Sequence, residues 1–88
     1  MNSGKEKAAL LLKTARGQID GILRMLEEDR YCIDISNQLL ATRAVLDKAN
    51  GHILRGHMDN CLRRAFETQD EQSQQHMLDE LMQVLGKL

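Results

Sequence analysis

The chain has 88 residues and a formal charge of −1, enough for one small domain whose ratio of buried to exposed surface is poor, so oligomerisation is the expected remedy. With no proline, no tryptophan and only Tyr31 and Phe66 as aromatic side chains, against many Leu, Ala, Glu, Gln, Lys and Arg, the composition is that of an all-α protein. The near-neutral balance excludes a global electrostatic pull toward nucleic acid or an anionic membrane, so DNA contact has to come from a local patch.

No apolar run approaches the roughly 20 residues of a membrane span, and the apolar part of MNSGKEKAALLLK is too short for a signal peptide. The protein therefore reads as cytoplasmic. In that reducing setting its two cysteines, Cys32 and Cys61, are expected to be thiols, ligands or redox sensors in place of a structural disulfide.

Ser3 and Glu6 have the spacing of a capping box and predict a helix start. Ala8, Leu11 with Leu12, Ala15, Ile19, Ile22 and Leu26 then recur at steps of three and four, one apolar stripe widened by Leu23. Gly17 and Gly21 interrupt it. Each costs about 1 kcal/mol against alanine, and the pair either lets another helix approach closely or is simply tolerated. Glu27 to Arg30 form a charged, non-periodic corner.

From Tyr31 to Phe66 the chain reads as one long helix. Leu39, Leu46 and Ile53 fall at heptad spacing, and Ile35, Leu40, Ala49, Leu54, Met58 and Leu62 broaden that face. So long an apolar face needs company, and an antiparallel copy of the chain is the economical cover. Asn50-Gly51 is the competing signal for a break. The polar run Glu67 to Gln75 allows a second corner, and Met77, Leu78, Leu81, Met82 and Leu85 define a short third helix ending near Gly86. No internal repeat, linker or second domain interrupts residues 1–88.

The soft metal donors lie on the central helix. His57 and Cys61, four residues apart, share one helical face as a ready pair of ligands. Cys32 cannot join them within one chain, because the helical rise sets it roughly 43 Å from Cys61. An antiparallel partner would bring its own Cys32 to this pair, twice by symmetry. Two thiolates and one imidazole suit Cu(I), and suit Zn(II) if water completes the shell. The bland alternative is two buried cysteines acting as small hydrophobes and one solvated histidine. His52 and His76 read as surface histidines, spare candidates only.

The segments ARGQIDGILRMLEEDRYCIDI, ATRAVLDKA and HMDNC resemble the CsoR/RcnR family of small helical metal- or sulfur-responsive repressors, over essentially the whole chain after about residue 10. The set Cys32, His57 and Cys61 resembles its copper-sensing branch. That resemblance implies Cu(I) held across an antiparallel dimer, dimers paired into a tetramer, and operator DNA bound by the metal-free form and released on copper binding, so that efflux genes are derepressed. It implies an outer-shell role for Tyr31 and an acidic partner at Glu80. For DNA it leaves Lys13 and Arg16 on the first helix, where Leu11, Thr14 and Asp20 stand in place of arginines of some relatives, with Arg43 and Lys48 as further phosphate contacts. The alternative for these four is ordinary solvated charge.

Two other functions remain open at this stage. Cys32 and a partner's Cys61 could be linked by persulfide chemistry, which has no need of the imidazole at His57. A helical interaction module without inducer would need neither cysteine. Catalysis is the least expected, since no nucleophile-base-orienter set or phosphate-binding glycine loop is present.

Overall fold

A computed structural model of the chain describes residues 3–68 and 70–88, with the backbone alone at Ser3, Ala65, Phe66 and Thr68. The elements are α1 (Ser3–Glu27), α2 (Cys32–Thr68) and α3 (Glu71–Leu85), the all-α, three-helix order that the periodicity predicts. Helix α1 begins at Ser3, while the capping-box pairing of that hydroxyl lies outside the described side chains. Asn50 and Gly51 sit inside α2 and break nothing. No described helix is long and apolar enough to cross a membrane.

By its contacts the chain forms two compact units, Met1–Leu54 and Arg55–Leu88, and α2 runs through both. The first unit is a hairpin of α1 and the start of α2. Its corner is a Schellman-type turn: Asp29 donates its N–H to the Leu26 carbonyl at 3.2 Å and Arg30 to the Met25 carbonyl at 2.9 Å. Asp29 takes the left-handed conformation, φ 53°, that this turn needs. Aspartate is one of the few residues besides glycine that adopts it readily, which explains how a charged stretch without glycine turns so sharply.

The seam of the hairpin is built mostly from small residues, with one isoleucine from each helix beside the corner. Ala8, Ala15 and Ile22 on α1 and Ile35, Thr42 and Ala49 on α2 are the buried positions, each series at heptad spacing. Gln18 and Thr42, equally distant from the corner, meet across the seam with Oγ1 of Thr42 2.8 Å from Oε1 of Gln18. The Thr42 hydroxyl also lies 3.1 Å from the Gln38 carbonyl, so the one buried polar side chain among the described residues has two acceptors for its proton.

The large heptad series singled out in the sequence lies elsewhere. Each buried position is followed four residues later by an exposed large apolar side chain: Leu12, Ile19 and Leu26 on α1, Leu39, Leu46 and Ile53 on α2. One chain thus covers its small stripe and leaves the large one open. A close approach of another helix at the glycines is not made within the chain, since a Cβ at Gly17 would meet nothing within 4 Å and one at Gly21 only the Arg24 side chain at 3.8 Å.

The second unit joins the end of α2 to α3. Asp70 caps α3 by accepting from the Gln72 N–H at 3.1 Å and from the Ser73 hydroxyl at 2.8 Å. The helix ends at Leu85, and Gly86 (φ −66°) adds one right-handed turn by donating to the Met82 carbonyl at 3.0 Å. None of the described residues from 51 to 88 is buried, so α3 rests on its cap more than on a core. Asp70→Ala is therefore expected to cost about 1 kcal/mol, seen as roughly fivefold faster amide exchange confined to α3.

Candidate metal centre

His57 and Cys61 lie one turn apart on α2, in the second unit, with His57 Nε2 3.4 Å from Cys61 Sγ. The i, i+4 spacing alone sets this pair, because side chains four apart stack on one helical face. Both are accessible, His57 exposed and Cys61 half-buried. Cys32 is the first residue of α2 and exposed. Within the single chain neither cysteine is buried.

Helix α3 brings an acid to the pair. Glu80 Oε2 stands 3.9 Å from His57 Nε2, within ion-pair range and beyond a hydrogen bond. The other oxygen, Oε1, is 2.9 Å from His76 Nε2. Cys61, His57, Glu80 and His76 thus form a string of contacts lining one cavity of about 340 Å³. A neighbouring apolar cavity of about 150 Å³, lined by Met58, Leu62, Met77, Leu78 and Leu81 together with His57 and Cys61, backs the thiol. Among the described residues no three metal donors already surround one point.

His76 is a surface histidine, 75% exposed, as expected, and it is paired with Glu80. The signal was available, since His76 and Glu80 repeat the i, i+4 spacing of His57 and Cys61. What the spacing could not show is that the two pairs face one another. Tyr31, in the first unit, is exposed, and its hydroxyl meets no described partner within the chain. His52 is half-buried on α2 and stands outside the string.

The four basic candidates, Lys13 and Arg16 on α1 and Arg43 and Lys48 on α2, all belong to the first unit and are all exposed. None of them makes an ion pair with another described residue, so their charges are available to an anionic partner.

The site is thus a thiol–imidazole pair displayed on the longest described helix, with an acidic side chain 3.9 Å from the imidazole. The family described as metal-sensitive transcriptional repressor matches residues 4–87, and the chain belongs to that family. It is 50% identical over 62 residues to the copper-sensing transcriptional repressor CsoR of Mycobacterium ulcerans, covering 69% of this chain and 53% of that protein. It is 39% identical over 80 residues to the CsoR of Bacillus subtilis, covering 88% of this chain and 79% of that one. The chain thus spans only about half the length of the mycobacterial relatives it matches. In structure it is similar to the copper-sensing repressor CsoR with Cu(I) from Geobacillus thermodenitrificans, with a TM-score of 0.82, 33% identity, and coverage of 99% of this chain and 88% of that one.

Proposed function

We propose that this protein is a Cu(I)-responsive transcriptional repressor that binds operator DNA when metal-free and releases it when copper is bound. The observation that carries the reading is the 3.4 Å approach of an accessible thiol and an imidazole, Cys61 and His57, in a chain that is similar over most of its length to copper-sensing repressors. Their chemistry fits the ion, because thiolate and imidazole are the soft donors that Cu(I) prefers. Cys32 of a second copy completes the set, and Tyr31 and Glu80 serve as polar groups behind the ligands.

The exposed apolar series supplies the reason for a second copy. Leu12, Ile19 and Leu26 with Leu39, Leu46 and Ile53 flank the hairpin seam along both helices, too continuous an apolar surface for a lone chain. An antiparallel dimer covers it, and two dimers make the tetramer. Lys13, Arg16, Arg43 and Lys48 then contact phosphates, repeated in every copy, so DNA binding falls steeply with salt.

When bound, Cu(I) supplies a link between the start of α2 in one copy and the end of α2 in the other. The chain's own part is to hold His57 and Cys61 one helical turn apart, so that both donors reach one ion together. Linkage fixes the size of the effect: each tenfold loss of DNA affinity requires about 1.4 kcal/mol weaker copper binding to the DNA-bound form.

The test is an anaerobic Cu(I) titration of reduced protein against a competing chelator, with operator binding followed in parallel. One copper per chain with loss of DNA affinity is the expected result. Copper binding that leaves DNA affinity unchanged would overturn the reading and favour persulfide as inducer, seen as a Cys32–Cys61 crosslink between chains by mass spectrometry.

A further inference from the structure

We infer that His76 is a positioning residue for the candidate metal pair: it holds the Glu80 carboxylate toward the His57 imidazole and so fixes which ring nitrogen carries the proton. The inference deepens the copper reading and rests on it for one of its two consequences, the affinity for Cu(I).

The contacts as they stand carry it. His76 Nε2 lies 2.9 Å from Glu80 Oε1, and a carboxylate only accepts, so His76 donates there. The second oxygen, Oε2, stands 3.9 Å from His57 Nε2, which is in turn 3.4 Å from Cys61 Sγ. Glu80 alone is a poor anchor. Its long side chain is 48% exposed, so an unheld carboxylate spreads over many rotamers, whereas one oxygen tied to a residue a turn earlier on α3 leaves the other few places to go.

The neighbouring acids are committed elsewhere. Asp70 lines the same cavity, but its two oxygens accept from the Gln72 N–H and the Ser73 hydroxyl in the α3 cap. Asp79 accepts from Gln75 Nε2 at 2.9 Å.

Electrostatics give the direction of the effect. A carboxylate favours an N–H that points at it and disfavours a lone pair there, so Glu80 favours the His57 tautomer protonated on Nε2 and leaves the Nδ1 lone pair free. At 3.9 Å this is a charge effect and not a hydrogen bond, and it weakens whenever the carboxylate moves away. His76 acts on the pair through Glu80.

The experiment uses the full chain, reduced and anaerobic. The His57 tautomer is read by 15N–1H correlation of the imidazoles in metal-free protein at about pH 8, where an ordinary imidazole is neutral. Cu(I) affinity is read by chelator competition. The wild-type chain is expected to hold His57 mainly in the Nε2–H form. His76→Ala is expected to mix the two tautomers and to weaken Cu(I) binding roughly threefold to fivefold, a small effect because the His76–Glu80 pair is exposed. His76→Gln is expected to restore both, since a glutamine spans the same interval to a carboxylate, as Gln75 does to Asp79. Added to Glu80→Ala, His76→Ala is expected to change nothing further. Circular dichroism confirms that the variants are folded.

A wild-type His57 in the Nδ1–H form would overturn the inference. So would an unaltered tautomer or an unaltered Cu(I) affinity in His76→Ala, a His76→Gln variant as impaired as the alanine one, or a loss that adds to that of Glu80→Ala. A wild-type chain that fails to bind Cu(I) tightly would overturn the copper reading alone, because the tautomer is read without metal.

Discussion

Replacing Cys61 by serine is expected to abolish the response of DNA binding to copper while leaving the metal-free affinity for operator DNA unchanged. The hydroxyl is nearly the size of the thiol, but it is a hard donor that stays protonated near neutrality and offers Cu(I) almost nothing. Cys61 is half-buried, with His57 as its hydrogen-bonding neighbour, so the substitution opens no cavity and breaks no core contact. A Cu(I) affinity lower by about a hundredfold or more, equivalent to about 2.8 kcal/mol, follows from losing one of three soft ligands. Chelator competition reads the affinity, and fluorescence anisotropy of labelled operator reads the response. If Cys61→Ser still released DNA on copper addition, the ligand assignment would be wrong.

The other large effect concerns assembly. Leu46→Glu is expected to convert the oligomer into monomer and to remove DNA binding with it. In the single chain Leu46 is 42% exposed and lies in the apolar series that continues through Leu39 and Ile53. The hairpin seam of Ala8, Ala15, Ile22, Ile35, Thr42 and Ala49 does not include it, so the isolated fold keeps its own contacts. In a two-fold dimer each substitution counts twice. Losing about 2 kcal/mol of burial per leucine, before any charge penalty, weakens association roughly a thousandfold. Sedimentation measures this directly. An unchanged mass would show that this face is not the interface and would point to the opposite side of α2.

The three helices were legible because their signals are local. Stripes at steps of three and four, a long run without proline, and a charged break at Glu27 to Arg30 locate α1 and α2 with ends shifted by only a residue or two, whereas α3 starts inside the run Glu67 to Gln75 read as a corner. Thr68 extends α2 beyond Phe66, and α3 begins at Glu71, ahead of its first apolar residue, because Asp70 supplies a cap. The choice between a break and continuity at Asn50-Gly51 goes to continuity, as the neighbouring turns of helix outweigh a weak turn signal.

By itself the sequence determined the thiol–imidazole pair, since a four-residue spacing on a helix places His57 beside Cys61 whatever the rest of the chain does. Tertiary structure alone decided which heptad the chain buries. Large and small apolar series run side by side on both helices, and periodicity reports that a face is apolar without reporting which part of it one hairpin covers. Close packing of two helices favours the small series, with Thr42 taken in because Gln18 meets it. The meeting of His76, Glu80 and His57 was decided in the same way: it depends on the corner between α2 and α3, which sets the register of one helix against the other, and no spacing within a single helix carries that information.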